Sequence, residues 1–462
     1  MTCSILGRVF RGALLGGSML SWAVTGAAAQ SVEDRVGRLE ALLESVLQRL
    51  EAQDARISAE DAKVIAETQK AVAQVKAVEA KMDEAAASAP APANGFKIGN
   101  TTVNFGGYIK LDTMATRFSG GEFPSVSFLR DFLVPGAIPV GGRGDGWDLD
   151  YSARQTRFNF KFDTDLGNEH KLGGYMELDF QVTSADGVDE RVSNSYNPRM
   201  RHAFLTFDNW LFGQTWSTFL NVSAFPDVLD FIGPTSGIIF IRQPQIRYTK
   251  GGFQVAIEQP EATLSAYGTG ARLISGDDPM PDLVLRYNAK GDWGEVSLAG
   301  IARNLHVEPG LSTVSEADTA LGYGVNLSGK INVGAADDIR FAVTAGEGLG
   351  RYIGLNIVNA AAITNVGTLD AIATYSGFVA YRHPWTKTWR STFSIAGFKA
   401  DNPIAFTGLG VTDTVWNALA NIIVSPVPKL DLGLEYMFAK RQLESGLSGT
   451  MNRVQFSAIY KF

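Results

Sequence analysis

The side chains of this sequence that could do chemistry are basic residues that alternate with apolar ones. Between Arg157 and Phe162, for example, Arg, Asn and Lys alternate with phenylalanines. Successive side chains of a β-strand point to opposite faces, so such a segment has one apolar and one basic face. Guanidinium groups that line a narrow aqueous passage attract anions and bind carboxylates through paired hydrogen bonds. The basic residues that alternation assigns to this polar face are Lys110, Arg157, Lys161, Lys171, Arg247, Arg286, Arg303, Arg340, Arg382, Arg390 and Arg453.

The acidic residues on the same face are fewer. They are Asp112, Glu177, Asp179, Glu295, Asp338, Asp431 and Glu435. The full chain has 41 Lys and Arg against 48 Asp and Glu, so alternation concentrates positive charge on one face of an acidic protein. We therefore predict a lumen that prefers anions. The alternative is that these cations and carboxylates pair across neighbouring strands and neutralise one another.

One long segment, Thr215–Arg242, departs from strand alternation. It is apolar and aromatic, with prolines at positions 226 and 234. Because loops normally run over the surface in contact with water, a loop this hydrophobic needs another place. We expect it to fold into the lumen and narrow it, with Asp227 and Asp230 facing the basic wall. The alternative is a loop that packs between subunits.

The candidates for the narrowest part of the lumen include four arginines near this loop. They are Arg199, Arg201, Arg242 and Arg247. Glu177 and Asp179 lie on the same predicted wall. The face on which Arg199 and Arg201 lie is ambiguous, because apolar residues at positions 203, 205 and 207 share their parity.

These side chains need a wall of strands, and the sequence from Phe96 to Phe462 has the pattern of one. In Asn452–Phe462, one parity is apolar or aromatic and the other is mostly polar, which is typical of a strand between lipid and water. Similar segments of roughly ten residues recur about sixteen times between clusters of Gly, Asp, Asn and Pro. The pattern predicts an all-β transmembrane barrel of about 16 antiparallel strands around an aqueous lumen. Soluble β-sandwiches, the alternative, would leave the rows of Phe, Leu and Tyr unexplained.

The first 29 residues have the pattern of a signal peptide. Arg8 and Arg11 precede an apolar run, Ala13–Val24, that is too short to span a membrane as a helix, and Ala27–Ala29 gives a cleavage pattern. Cleavage would remove Cys3, the only cysteine, so the mature protein would have no disulfide and no thiolate metal site. A retained membrane anchor is the alternative.

Residues 30–84 are predicted to form a coiled coil. An apolar residue recurs at every seventh position from Val36 through Leu43 and Leu50 to Val78, which is typical of helices that wind around partners. The number of partners is not readable from this pattern, and a solvated single helix is the alternative. Residues 85–95, rich in Ala and Pro, are predicted to be a linker.

The sequence argues against several other classes of function. The net charge is −7, whereas nucleic-acid-binding proteins present a basic surface. The four histidines have no metal-ligand spacing, and no nucleophile–His–acid cluster is evident. Gly346–Gly350 follows a predicted strand but precedes no helix, which disfavours a phosphate loop. We expect no enzymatic activity, no catalytic residues, no cofactor and no metal site.

With these regions in order, the sequence resembles the DcaP-like porins of Gram-negative outer membranes. The similarity lies in the succession of coiled coil, Ala/Pro linker and barrel, and in the segments Phe105–Asp112, Arg154–Phe158, Gln243–Tyr248 and Tyr460–Phe462. The resemblance implies homotrimers and an N-terminal coiled coil in the periplasm. It also implies diffusion of small anionic solutes, such as dicarboxylates or aromatic acids.

We therefore expect an outer-membrane porin, in contact with outer-membrane lipid, for small hydrophilic and anionic solutes. A phosphate-selective porin is the nearest alternative, although Glu177 and Asp179 interrupt the basic ladder that it needs. A structural or adhesive outer-membrane anchor is another alternative. Its coiled coil would be the functional part, and its lumen would be blocked. For the porin as well, contact of the coiled coil with the cell wall or a periplasmic partner is left open.

Overall fold

The computed structural model of the protein describes residues 37–38, 40–49, 51, 70 and 95–462, except for 125–126, 145, 183–193 and 276–277. Internal contacts divide the chain into two units, Met1–Pro92 and Ala93–Phe462.

In the first unit, the described residues are helical. Leu43 and Val46, which lie on the predicted apolar seams, are 64% and 47% exposed. The helix agrees with the helical segment expected here, while its pairing into a coiled coil stays a prediction. The predicted signal peptide (1–29) and residues 85–94 of the predicted linker lie outside the described residues. Within the described part of the chain, no helix is long and apolar enough to cross a membrane.

In the second unit, sixteen long strands of the described chain form a closed antiparallel barrel. They are β2 (Thr101–Phe118), β4 (Arg157–Asp165), β5 (Lys171–Asp179), β6 (Arg199–Phe207), β7 (Trp210–Trp216), β8 (Arg242–Lys250), β9 (Phe253–Glu258), β12 (Asp282–Gly291), β13 (Gly294–Val307), β14 (Asp318–Val333), β15 (Asp337–Glu347), β18 (Ala373–Pro384), β19 (Trp389–Asp401), β20 (Thr412–Val427), β21 (Leu430–Leu443) and β22 (Ser448–Lys461).

The barrel strands follow one another in chain order. The first of them, β2, closes the barrel because it pairs with the last, β22, on one side and with β4 on the other. Two short strands join the same sheet: β1 (Phe96–Ile98) folds back on the start of β2, and β3 (Asp148–Ser152) continues the line of β4 along the second half of β2. The prediction of an all-β barrel with about sixteen strands is confirmed.

The connections between strands alternate in length. At one end, here called the short-turn end, turns of two to five residues join neighbours, such as Asp208–Asn209 between β6 and β7. At the other, the long-loop end, the connections include residues 217–241, 259–281 and 348–372. This alternation of short turns and long loops is typical of outer-membrane barrels.

The two faces of the strands differ as their alternation predicts. On β22, Val454 and Phe456 face outward and are 37% and 42% exposed, whereas Arg453 and Gln455 point inward and are buried. The outer surface is therefore apolar, as contact with lipid hydrocarbon requires. The barrel is held by its strand ladder and by the side chains that fill its interior.

Two long loops fold into the barrel and fill one side of it. We call residues 217–241 the first inner loop and residues 348–372 the second inner loop. Phe219 of the first packs against Leu349 and Tyr352 of the second, in an apolar core with inward residues of β12, β13, β19 and β20. The folding of the first inner loop into the barrel agrees with expectation, while the insertion of the second was not predicted.

A small sheet joins the second inner loop to the loop at 259–281. Its strands are β10 (Thr263–Ser265), β11 (Arg272–Ile274), β16 (Ala361–Ile363) and β17 (Leu369–Ala371), in the order β11, β10, β16, β17. Apolar side chains of this sheet pack on Leu305 and Val307 of β13. The sheet therefore ties the two loops to the wall at the long-loop end.

Glycine is required where the first inner loop meets the wall. A Cβ atom at Gly237 would lie 2.0 Å from the carbonyl oxygen of Gly377 on β18. No side chain fits in that distance, so only the absence of one lets the loop backbone approach the strand this closely. A few short helical turns complete the loops; one of them, Ile404–Thr407, precedes β20.

Candidate functional site

The first inner loop is fixed in the lumen by hydrogen bonds between its backbone and inward side chains. The N–H groups of Leu229 and Asp230 donate to Glu435 on β21, at 2.9 and 3.0 Å. The carbonyl of Leu229 accepts from the Lys110 ammonium on β2, at 2.5 Å. A buried backbone group left without a partner costs about 1–3 kcal/mol, so these contacts determine where the loop crosses the lumen.

Asp230 of this loop faces a buried arginine of the wall. Its Oδ2 atom accepts from the N–H of Leu133 at 3.1 Å and lies 3.7 Å from Nη1 of Arg453 on β22. Both side chains of this ion pair are almost fully buried. Arg453, a candidate lumen residue, thus serves the packing of the loop.

Asp227 of the same loop faces arginines of β18 and β19. It lies 2.6 Å from Arg390 on β19 and 3.6 Å from Arg382 on β18. Arg390 also pairs with Asp431 at 3.0 Å, and Arg382 with Asp338 at 3.1 Å. The structure therefore brings Asp227 against basic side chains, although other carboxylates share them.

Three further candidate arginines hold loop backbone. Arg286 donates to the carbonyl of Leu220 at 2.6 Å, and Arg340 donates to the carbonyl of Phe225. Arg303 donates to the carbonyl of Gly348 at 2.8 Å. Each also has a carboxylate partner: Glu295 for Arg286, Asp338 for Arg340 and Asp282 for Arg303.

Beside the first inner loop, the lumen keeps a cavity of about 630 Å³. Inward residues of β2, β4, β5, β6 and β7 form much of its wall. Its charged lining residues are Lys110, Arg157, Arg201, Arg390 and Lys461, with Glu177, Asp227, Asp230 and Asp431. Cations exceed carboxylates by one, so opposite charges nearly balance along this lining.

A cluster of arginines surrounds two carboxylates beside the cavity, and Arg157, Arg201 and Glu177 of this cluster line it. Arg201 lies 2.6 Å from Glu177 and 2.8 Å from Asp179, and Arg199 binds Asp179 through two nitrogens, at 2.9 and 2.8 Å. Arg157 lies 3.5 Å from Glu177. Three guanidinium groups thus share two carboxylates, which leaves a local excess of positive charge.

A β-bulge explains the ambiguous parity of this arginine pair. Glu177 pairs with His202 but Leu178 pairs with Met200, so Arg201 is an extra residue in β6. A bulge shifts the parity of the strand beyond it. Arg199 before the bulge and the bulged residue Arg201 both point inward, and the apolar residues at 203, 205 and 207 face outward after it.

Arg242 and Arg247 on β8 make no ion pair with the described residues. The guanidinium carbon of Arg242 lies 4.4 Å from the centre of the Trp216 ring and 5.6 Å from that of Phe240. A cation over an aromatic face is stabilised without neutralisation. Arg242 therefore contributes an uncompensated charge beside the arginine cluster.

The remaining candidates lie away from this cavity. Lys161 pairs with Asp163 at 2.9 Å, and both are more than half exposed near the short-turn end. Lys171 is exposed where β5 begins. Neither is brought to the arginine cluster.

The sequence interpretation missed several residues that line the cavity. Lys461 follows the polar parity of β22, so alternation could have identified it. Tyr108, Tyr175 and His202 also line the cavity; the tyrosines share that polar parity on β2 and β5, and His202 has the parity opposite to that of the outward residues 203, 205 and 207 on β6. Trp216 ends β7, and its role depends on tertiary packing.

At the long-loop end, charged pairs fix the loop at 119–147. Arg154 lies 2.7 Å from Asp131 and its guanidinium carbon 4.1 Å from the Tyr196 ring centre. Burial raises the pKa of Asp131, and the Arg154 charge opposes that shift. No cluster of three or more metal-ligating side chains occurs among the described residues.

The comparison with protein families matches residues 75–462 to the family described as DcaP outer membrane protein. The chain belongs to the DcaP outer membrane protein family. It is therefore an outer-membrane protein, and the resemblance that its sequence motifs indicated is confirmed. A comparison with curated proteins found no match.

Two solved structures of outer-membrane proteins are similar to this chain. The outer membrane channel DcaP of Acinetobacter baumannii is 24% identical, with a TM-score of 0.63 over 80% of this chain and 99% of that one. An anion-selective porin from Comamonas acidovorans is 13% identical, with a TM-score of 0.47 over 78% and 100%. The first of these similarities establishes a porin fold for the barrel of this DcaP family member.

Proposed function

We propose that this protein is an outer-membrane porin for passive diffusion of small hydrophilic anions, such as dicarboxylates or aromatic acids. The observation that carries the proposal is the arginine cluster on the wall of the lumen cavity. Arg157, Arg199 and Arg201 share two carboxylates there, and Arg242 beside them has no ion pair with the described residues. Such a surface raises the local concentration of anions.

The chemistry of this wall also suits the proposed solutes. Guanidinium groups bind carboxylates through two parallel hydrogen bonds. Trp216 and Phe225 of the cavity lining, whose ring centres lie 5.6 Å apart, add apolar surface for an aromatic acid. The paired carboxylates keep the cluster from binding an anion so tightly that it cannot leave, which conduction requires.

Conductance in a planar bilayer under a salt gradient tests the proposal. We expect stepwise openings and a reversal potential whose sign indicates that anions permeate more readily than cations. Arg242→Gln should move that potential toward zero without leaving a carboxylate unpaired. Lys171→Gln, which removes the same charge from the exposed short-turn end, is the matched control and should leave the potential unchanged. Cation preference in the parent protein would contradict the proposed lumen chemistry.

A structural outer-membrane anchor is the second candidate function. The filled interior favours it, because two inner loops and an apolar core occupy one side of the barrel. Its coiled coil would then be the working part. Folded, heat-modifiable protein that gives no conductance would support this function and contradict the porin.

The family resemblance supports two further parts of the proposal, a homotrimer and a periplasmic coiled coil. Openings in groups of three, together with a trimer mass by light scattering in detergent, would test the assembly. A phosphate-selective porin remains the alternative within the same class. Permeability ratios for phosphate and succinate against chloride would separate the two porins.

A further inference from the structure

A second, smaller cavity of about 180 Å³ lies inside the long-loop end of the barrel. It is bounded by the loop at 259–281, by the second inner loop, by residues 402–412 and by Arg441 of β21. Arg441 has the inward parity of Asp431 and Glu435 on that strand. The cavity therefore opens within the barrel mouth and not on the lipid-facing surface.

Two guanidinium groups reach this cavity from different elements. Arg272 of β11 donates from Nε to Asn359 at 2.9 Å and from Nη2 to the carbonyl of Asn356 at 2.6 Å. Arg441 donates to Thr412 at 2.9 Å and to the carbonyl of Ile138 at 3.0 Å. Both side chains are thus held in place by neutral acceptors.

Among the residues that the structure describes, no carboxylate compensates either charge. Neither Arg272 nor Arg441 forms an ion pair with a described Asp or Glu, and none of the described residues that line the cavity is acidic. Ser265 and Thr269 add hydroxyl groups to the lining. Most lumen arginines have a carboxylate partner, and Arg272 and Arg441 share the lack of one with Arg242 and Arg247.

The small cavity is distinct from the large cavity beside the first inner loop. The two cavities share no lining residue. An anion bound in the small cavity therefore uses a different set of side chains from one bound beside the arginine cluster.

We propose that Arg272 and Arg441 form a capture site for compact anions, of the phosphate or small carboxylate class, at the long-loop mouth. Each guanidinium group already donates two hydrogen bonds to the protein. Its remaining N–H groups can donate to the oxygens of such an anion. The role of this capture site in loading the passage rests on the proposed porin function, whereas anion binding at the site does not.

A fluorophore placed in the cavity tests the binding directly. The chain has only Cys3, so a Cys3→Ser, Gly410→Cys protein carries one label. Gly410 lines the cavity, and a Cβ there would meet nothing within 4 Å. We expect sodium phosphate, titrated at constant ionic strength, to give a saturable change in fluorescence of the folded protein in detergent.

The decisive comparison removes the two charges. Arg272→Gln with Arg441→Gln should weaken phosphate binding by about ten-fold or more, since hydrogen bonds from charged groups are lost. The control, Arg117→Gln with Arg143→Gln, removes two exposed arginines near the same end and should bind like the parent. Equal binding by all three proteins, or none by the parent, would overturn the site.

A second double variant tests whether weaker binding in the glutamine variant reflects lost charge or lost folding. Arg272→Lys with Arg441→Lys keeps both charges but replaces each fork by a point charge, so we expect weaker, measurable binding. Affinity equal to that of the parent would overturn the role of the guanidinium geometry. Conductance of the same preparations separates the two ideas: conduction without phosphate binding contradicts only the capture site, and binding without conduction contradicts only the porin.

Discussion

The two sides of the barrel interior are built differently. Between β12 and β20, the inner loops pack apolar side chains such as Phe219 and Tyr352 into a core. Between β2 and β7, the lumen keeps a cavity walled by arginines, carboxylates and aromatic rings. One side resembles the interior of a soluble domain, whereas the other keeps room for water and solute.

This difference assigns the stability of the fold and the passage of solutes to different sides of the interior. Charged side chains on the packed side form hydrogen bonds to loop backbone, as Arg303 does to the carbonyl of Gly348. Charges on the cavity side, such as Arg201, are close-packed but border open space. Substitutions on the packed side should therefore change unfolding, and those on the cavity side should change ion preference.

The largest effect is expected where the loop backbone meets the wall. Gly237→Val would add a Cβ atom 2.0 Å from the carbonyl oxygen of Gly377. Overpacking of this kind lowers the free energy of unfolding by about 1–3 kcal/mol, unless the first inner loop moves away from the wall. We expect a lower unfolding temperature in the heat-modifiability assay and a larger single-channel conductance.

Gly397→Val is the control for this change. Gly397 pairs with Gly377 across β18 and β19, but a Cβ there meets nothing within 4 Å. It should behave like the parent protein. Parent-like stability and conductance in Gly237→Val would contradict the loop placement.

A smaller effect is expected from one hydroxyl in the packed core. The Tyr352 hydroxyl donates to Asp282 at 2.7 Å and accepts from Gln243 at 2.7 Å. Tyr352→Phe removes the hydrogen bond to each of these two buried partners. It should lower the free energy of unfolding by roughly 1–3 kcal/mol. Urea unfolding measures the loss, and conductance should not change. Tyr381→Phe, at an exposed hydroxyl, should be near neutral; equal losses in both variants would argue against the distinction.

The smallest change in stability is expected at Asp227 on the cavity side. Its side chain is 29% exposed beside Arg390, so Asp227→Asn should alter the free energy of unfolding by no more than about 1 kcal/mol. The freed guanidinium should increase anion preference, as read from the reversal potential. Asp163→Asn, at an exposed pair near the short-turn end, is the control. A shift toward cations would contradict the assigned charge pattern.

The strands were predictable because each carries its own signal. Period-two alternation on β22, with Phe456 outward and Arg453 inward, depends only on neighbours in sequence. The first inner loop was predictable for a similar reason, since its apolar residues exclude it from water. The second inner loop gave no such signal, because its apolar residues are interspersed with Gly and Asn.

The charge pairs of the site were not predictable. Arg201 faces inward because a bulge adds one residue to β6, and no local pattern marks a bulge. Asp230 meets Arg453 because the first inner loop crosses the lumen to β22. Alternation gives the face of a side chain, whereas its partner depends on strand register and loop path.

The anchoring of the first inner loop has a consequence for the order of folding. The N–H of Leu229 donates to Glu435, 206 positions later in the chain. The loop therefore cannot make this contact until β21 has joined the barrel. Contacts this distant in sequence form slowly. The barrel should therefore pass through a stage in which its wall is complete but its lumen is still wide, and the final narrowing should be a separate, late kinetic phase.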